Sequence, residues 1–461
     1  MKILLAKPFS ASDHIQPSLG LGYLATAVRQ RHETLILDCI KRKVSIKKLP
    51  RFLKKYKPDV FGLQCYTFDL PYVKKAIRIA KEISPRMVTV VGGPHPSAVP
   101  DETFEFIGND VDFLFVGEAE VGFSRLMDAL QEKKRDLSDI PGLMWRENGM
   151  VRKNDKILID DLDSLGLPAW DLIHPETYPE SQHGAFFKKF PIAPIMITRG
   201  CPYLCTFCAG NVVSGRKVRS RSIGSVLEEM RALYDEYGIR EFHIIDDNFT
   251  MNRKFAKDFL RQLRALDLDI SIAVPNGVRM DTLDEELLSL MKDAGLYMIS
   301  LGIESGSDRI LRLMKKSITT ARIRERVKMI HDAGIDVAGF FILGFPGDTV
   351  WSMLKTMAFS LELDLDRANF FTYLPFPGTE SYDELQKKGE LDTVNWEEFY
   401  FTNASYVPPG ITRKKLKALH RFAFARFYMR TGIILYQIKS VQSPRHFLFL
   451  AKRFFRWIVA N

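Results

Sequence analysis

Cys201-Pro-Tyr-Leu-Cys205-Thr-Phe-Cys208 gathers three of the chain's five cysteines within eight residues. Thiolates are soft ligands that suit iron–sulfur clusters, zinc or copper(I), so the spacing and the missing fourth ligand must choose among them. Structural zinc takes four protein ligands, often as two Cys-x-x-Cys pairs, and no matching second pair occurs. A disulfide inside the loop would strand one thiol, and adjacent turns of one loop seldom meet the geometry of the bond. Three thiolates on a four-iron cluster leave one iron open to a substrate or cofactor.

Outward from this loop, apolar runs alternate with amphipathic stretches. Strands are predicted at Ile195–Thr198, Glu241–Ile245, Ile270–Val274, Met298–Ile303, Val337–Ile342 and Asp366–Thr372. Helices fall near 223–237, 253–266, 283–293, 307–315, 319–333 and 349–362. Six such units predict a partial or full parallel barrel over 191–400, with its site at the C-terminal mouth. The cysteines follow the first strand, which is that mouth. Later strand ends carry Asp246-Asp247-Asn248-Phe249-Thr250, Asn276-Gly277-Val278-Arg279, Gly302-Ile303-Glu304-Ser305-Gly306-Ser307 and Leu343-Gly344-Phe345-Pro346-Gly347-Asp348. A carboxylate there more often binds or catalyses than supports. The acids after the second strand would also serve to cap a helix, Arg279 to make a surface salt bridge, and Gly-Phe-Pro-Gly alone is only a turn.

Residues 1–135 show the same rhythm. Strands at Ile3–Ala6, Thr34–Asp38, Val60–Cys65, Met87–Val91 and Asp112–Val116, with helices near 19–31, 47–57, 71–84 and 119–132, give a doubly wound parallel sheet. Ligands of such sheets sit at the carboxyl ends of the strands. Those ends read Pro8-Phe9-Ser10, Gln64-Cys65-Tyr66-Thr67, Gly92-Gly93-Pro94-His95 and Gly117-Glu118-Ala119-Glu120, and small residues let a backbone approach a bulky ligand. Residues 136–190, where the periodicity fades and prolines accumulate, read as a linker with a hairpin at Gly142–Arg152. Residues 401–461 read as a helical, basic extension.

The net charge of +10 is unevenly placed. From Arg413 to Asn461 there are twelve Lys or Arg and no Asp or Glu, which leaves 54 of the 66 basic residues against 56 acidic ones elsewhere. The excess positive charge is therefore a property of the tail, and gives no reason to expect nucleic-acid binding by the body. Apolar and basic residues interleaved in this way suit a helix lying on anionic lipid, or one docked on the barrel with its charges exposed. No run of about eighteen apolar residues indicates a membrane span. The start, an apolar strand closed by Pro8, is too brief for a signal-peptide core, and the expectation is a cytoplasmic protein.

Cys-x3-Cys-x2-Cys after the first strand of a βα barrel resembles the radical S-adenosylmethionine (SAM) superfamily. Pro17-Ser18-Leu19-Gly20-Leu21-Gly22-Tyr23-Leu24 and Val91-Gly92-Gly93-Pro94-His95-Pro96 are similar to its class with an N-terminal cobalamin-binding, Rossmann-like (flavodoxin-type) domain. The resemblance covers nearly the whole length. It implies that Cys201, Cys205 and Cys208 hold a [4Fe–4S] cluster whose open iron chelates the amino and carboxylate groups of SAM. Reductive cleavage then gives methionine and a 5′-deoxyadenosyl radical. For SAM it implies Phe207 at the adenine, Asp246, Asp247 and Asn248 as acceptors for the ammonium, Arg279 at the carboxylate, Glu304 and Ser305 at ribose and methionine, and Leu343 with Gly344 at the adenine. Acceptors suit an ammonium, which offers only donors, and a guanidinium fork matches a carboxylate. For cobalamin it implies Ser18, Leu19, Gly20, Thr67, Gly92, Gly93, His95, Gly117 and Glu118.

One stretch departs from the pattern. Corrinoid domains that place a histidine on cobalt carry Asp-x-His-x-x-Gly after the first strand, whereas Asp13 and His14 are adjacent here and no glycine follows at the required place. Cobalamin is therefore expected without a protein histidine on cobalt. The resemblance further implies an external electron donor of flavodoxin or ferredoxin type and a small-molecule or lipid substrate. Methylation of an unactivated carbon is the leading expectation, with cyclisation or another radical reaction, or an iron–sulfur redox protein, as alternatives. Relatives that modify tRNA carry additional cluster cysteines, whereas Cys39 and Cys65 fall apart on sheet strands.

Overall fold

A computed structural model describes residues 1–9, 15–180, 186–391 and 395–459, and Asp13 and His14 lie outside them. The chain forms two compact units. The first comprises Met1–Pro179, Ala209–Arg221 and Phe376–Gly378; the second comprises Glu180–Cys208, Ser222–Pro375 and Thr379–Asn461.

In the first unit, β1 (Lys2–Lys7), β2 (Glu33–Asp38), β3 (Val60–Gln64), β4 (Val88–Gly92) and β5 (Phe113–Phe115) pair in parallel in the order β2-β1-β3-β4-β5. Ile3, Leu4, Leu5 and Ala6 are all buried, the continuous apolar run of a strand covered on both faces. The order reverses between β1 and β3, as in flavodoxin-type sheets, which makes their carboxyl ends the place for a ligand. Helices Pro94–Ala98 and Pro100–Ile107 are absent from the sequence reading. Each begins with proline, which the periodicity reads as a breaker although a first helical position tolerates it.

The linker expectation for 136–190 needs correction. Two further strands, β6 (Leu143–Glu147) and β7 (Met150–Lys153), extend the sheet antiparallel from β5, with Phe113 opposite Trp145. Asn148 (φ 52°) and Gly149 (φ 79°) make the two-residue turn that such a hairpin favours. The proline-rich stretch after it packs on the same unit: a Cβ on Gly22 would stand 2.7 Å from Ile173, and Tyr178 donates to Asp38 at 2.9 Å.

The second unit is a six-stranded parallel sheet curled as a partial barrel. Its strands are β8 (Ile192–Ile195), β9 (Glu241–Ile244), β10 (Ser271–Val278), β11 (Leu296–Glu304), β12 (Asp336–Leu343) and β13 (Arg367–Thr372), in the order β13-β12-β11-β10-β9-β8. The first strand begins three residues earlier than its sequence suggests and contains Pro194. As an edge strand it tolerates a residue without an N–H. Helices follow most strands, and Ser222, Asn252, Asp284, Thr319 and Thr349 cap five of them through side-chain oxygens.

Three helices close the chain, Arg413–Tyr428, Thr431–Lys439 and Pro444–Val459. Leu416, His420, Ala423 and Phe427 form the buried stripe of the first, and its contact is β13. His420 Nε2 lies 2.8 Å from the Phe370 carbonyl, and Tyr428 donates to the Ala368 carbonyl at 2.9 Å. Among the described residues, no helix is long and apolar enough to cross a membrane.

Candidate active site at the barrel mouth

The cysteine loop leaves the first barrel strand through Gly200, whose φ of +95° favours glycine. Between the second and third cysteines the backbone is pinned from both sides. Thr206 donates its amide to the Met314 carbonyl at 3.1 Å, and its own carbonyl accepts from the Ser381 amide and hydroxyl at 2.9 and 2.8 Å. None of the three thiols is in a disulfide; Cys201 and Cys205 are half-buried and Cys208 is exposed. Phe207 meets the edge of Phe345 (centroids 6.4 Å apart) and packs on the cluster of Ile310, Met314, Phe345, Tyr373, Leu385 and Tyr406. It anchors the loop.

The three acceptors after β9 divide into two kinds. Asp246, expected at the SAM ammonium, is spent on the backbone that leads to the cysteines: it accepts from the amides of Ile197 and Thr198 at 2.8 and 2.7 Å and from the Thr198 hydroxyl at 2.7 Å. Burial pushes its carboxyl up to about 7, against the lowering effect of those donors. Asn248 is also buried, and its oxygen accepts from the Thr250 hydroxyl at 3.0 Å. Asp247 alone is exposed, holding only the Gly200 amide at 3.3 Å. Helix capping falls to Asn252 instead.

Arg279 ends β10 as a buried guanidinium. It pairs with Asp281 at 3.0 Å and lies over the Tyr203 ring at 4.0 Å. Its Nε and Nη1 are buried without a hydrogen-bond partner. Unspent donors on a buried guanidinium are what an anion would satisfy.

Glu304 occupies the left-handed region (φ 64°), which is unusual for a non-glycine residue, at a register shift in the β11–β12 pairing. The buried carboxylate meets Lys316 Nζ at 2.7 Å. A Cβ on Gly302 would collide with both groups, which explains that glycine. Burial works against the Lys316 ammonium, but Glu304 and then Cys205 outweigh it and hold its pKa above the ordinary lysine value. Lys316 is a site residue that the sequence reading missed. It stands outside every strand-end motif, in a Lys-Lys pair that reads as surface.

Ser305 and Leu343 turn inward. The Ser305 hydroxyl lies 3.1 Å from Thr356 Oγ1 and accepts from the Ser307 amide at 3.2 Å, while Leu343 is a core side chain whose carbonyl accepts from Tyr373. Gly344 (φ +79°) donates to Asp348 at 3.1 Å, and a Cβ there would strike Leu416.

In the first unit, Ser18 donates to Gln64 at 2.7 Å and caps the helix Leu19–Val28, where Leu19 is buried and Gly20 faces open space. Gly93 (φ +116°) must be glycine, because a Cβ would stand 2.9 Å from the Cys65 carbonyl; Gly92 is under no such constraint. His95 is buried with Nδ1 3.3 Å from the Thr67 hydroxyl, and burial pulls its pKa down to about 4, so it is neutral. Gly117 (φ +83°) donates to Ser97 at 2.9 Å. Glu118 is held by its own unit: both oxygens are taken by Arg219 at 2.7 and 2.8 Å, and one also receives the Ile159 amide. What stays open at the β1/β3 switch point is the first turn at Gly20 and the exposed Tyr66 ring.

A partial βα barrel with three cysteines outside any disulfide and a guanidinium with unpartnered donors at its mouth, preceded in sequence by a flavodoxin-type domain, defines an enzyme class that joins a metal-binding barrel to a second cofactor domain. The chain belongs to the radical SAM superfamily, whose pattern matches residues 195–360, and it carries a B12-binding domain over residues 10–127. It is 32% identical to an uncharacterized methyltransferase of Pyrococcus horikoshii, over all of this chain and 98% of that one. It is 28% identical to cytidylyl-2-hydroxyethylphosphonate methyltransferase of Streptomyces wedmorensis, over 81% of this chain and 78% of the relative. Anaerobic magnesium-protoporphyrin IX monomethyl ester cyclase of Cereibacter sphaeroides is 26% identical, over 94% and 70% of the two chains. In fold, the chain resembles the cobalamin-dependent SAM radical enzyme OxsB, with a TM-score of 0.73 at 16% identity, over 98% of this chain and 70% of OxsB.

The cofactors of these domains are a [4Fe–4S] cluster, SAM and cobalamin. The residues present fit them. Among the described residues, no three His, Cys, Asp or Glu side chains converge as ligands of one ion would. Cluster thiolates each bind a different iron and need not converge. The unpartnered Arg279 donors fit the SAM carboxylate, and the open first turn at Gly20 fits a bulky corrinoid.

Proposed function

We propose that this enzyme transfers a methyl group from SAM to an unactivated carbon of a small molecule or lipid. The observation that supports the reading most directly is the buried Arg279 guanidinium, left with two unspent donors at the end of β10, two strands on from the one that leads into the cysteine loop. When bound, the cofactors supply the electron that splits SAM into methionine and a 5′-deoxyadenosyl radical, and the cobalt that carries the methyl group.

In this reading Cys201, Cys205 and Cys208 hold the cluster and leave one iron for SAM. Arg279 would receive the SAM carboxylate through its unpartnered Nε or Nη1, and Asp247 would accept from the ammonium. Glu304, paired with Lys316 at 2.7 Å, would accept from ribose hydroxyls. Asp246, Asn248 and Ser305 act at one remove by fixing the loops that present these groups. The Phe207–Phe345–Tyr373 aromatics keep water from one side of the loop, while exposed Cys208 faces an external donor of flavodoxin or ferredoxin type.

The cyclase relative keeps a second reading in view, rearrangement without methyl transfer. Anaerobically reconstituted protein, supplied with reductant, cobalamin and SAM, separates the two. Methyl transfer requires both 5′-deoxyadenosine and S-adenosylhomocysteine as products. Deoxyadenosine alone favours the cyclase reading; neither product refutes both.

A further inference from the structure

We infer that the C-terminal helices form a docking surface for an anionic lipid membrane. The inference rests on the second unit alone and is independent of the cofactor chemistry.

The helix Arg413–Tyr428 buries one stripe against the barrel, and what remains outside is unusual. Of fifteen exposed large apolar side chains among the described residues, seven lie in this tail: Phe422, Met429, Ile434, Leu435, Ile438, Phe447 and Leu448. The helix Thr431–Lys439 buries only Ile433 and leaves Ile434, Leu435 and Ile438 44, 52 and 62% exposed. Isolated apolar residues on a surface need no explanation, but a run of them over three successive helices does. Among the described residues, Lys414, Lys415, Arg421, Arg426, Lys439, Arg445 and Lys452 are exposed and have no ion-pair partner, unlike Arg413, which meets Glu398.

Charge selects the occupant. A second copy of this face would set seven exposed cations against seven, with no Asp or Glu in the sequence from 413 to 461 to offset them. A nucleic acid would match the cations and leave the aliphatic side chains in water. A bilayer with anionic headgroups satisfies both sets at once, its phosphates taking Lys and Arg and its acyl boundary taking Ile, Leu, Phe and Met. Since no described helix can span a bilayer, contact is confined to the surface.

Flotation of the full chain with phosphatidylcholine vesicles, with and without phosphatidylglycerol, tests this. The chain should float with the anionic vesicles only and be released by salt, as the screening length falls from about 30 Å at 0.01 M to about 8 Å at 0.15 M. Lys439→Gln with Arg445→Gln should weaken partitioning on the order of twenty-fold, about fivefold for each cation. Ile434→Ser/Leu435→Ser/Ile438→Ser should abolish flotation while circular dichroism and the thermal midpoint stay unchanged. Equal flotation with neutral vesicles, or flotation indifferent to both variants, would overturn the inference. So would a chain that ignores vesicles but dimerises in light scattering or is retained with RNA on a filter.

Discussion

Lys316→Met removes the cation beside Glu304 and leaves a carboxylate buried in the barrel mouth. The pair closes at 2.7 Å, with both side chains about nine-tenths buried, so little water screens it. Breaking such a pair from one side costs about 3–5 kcal/mol, mainly because the remaining charge is stranded. The cofactor-free protein is the right sample, since bound SAM would add its own stabilisation. Urea midpoints for Lys316→Met, Glu304→Gln and the double variant complete a cycle; the double variant should recover part of the loss, with a coupling above about 1 kcal/mol. The sign with pH follows from the ionisations. Lys316 is held above the ordinary lysine value, so its contribution is fully present below the unfolded lysine pKa and is lost only as alkaline pH passes the folded one. A coupling near zero would refute the assignment of Glu304 and Lys316 as a buried charged pair.

Other perturbations separate binding from bracing. Arg279→Gln should weaken SAM binding in equilibrium dialysis by roughly ten- to a hundredfold, a loss of about 1.5–3 kcal/mol for charged hydrogen bonds, with the cluster's visible spectrum intact. Cys208→Ala should abolish that spectrum after reconstitution, whereas Cys39→Ala should preserve it. Glu118→Gln should lower the thermal midpoint without cobalamin present, because it breaks the buried bidentate pair with Arg219. Gly93→Ala should destabilise the protein by about 1–3 kcal/mol, since an alanine must hold a φ of +116° against the Cys65 carbonyl, while Gly20→Ala should be close to neutral.

Both sheets were legible in the sequence because parallel strands buried on two faces are apolar throughout, and Ile3–Ala6 or Val337–Ile342 resemble little else. Proline misled the reading in two directions. Pro194 hid the start of an edge strand, and Pro94 and Pro100 hid helices that they in fact begin. The hairpin at 142–152 was visible, but not its pairing with β5, because register with a three-residue strand leaves almost no local pattern. At the candidate site, the spacing of the cysteines alone called for a soft-ligand metal. Lys316 was not legible, because only the fold brings it to Glu304.

Residue type fails in a consistent way at the strand ends. Asp246, Asp247 and Asn248 are equivalent acceptors on paper, as Glu118 and Glu304 are equivalent acids, yet they divide according to what already occupies them. Asp246 receives three donors and Glu118 a full guanidinium fork plus an amide, so each is saturated by its own protein. Asp247 retains a free oxygen, Glu304 retains one beyond its contact with Lys316, and Arg279 retains two buried donors. A buried polar group left unsatisfied costs about 1–3 kcal/mol, so a fold that carries such groups at a barrel mouth is less stable than one that fills them, unless a ligand completes the set. The unspent hydrogen-bonding capacity of Arg279, Asp247 and Glu304, rather than their residue types, is what sets them apart from the saturated acids and supports the proposal that they meet SAM.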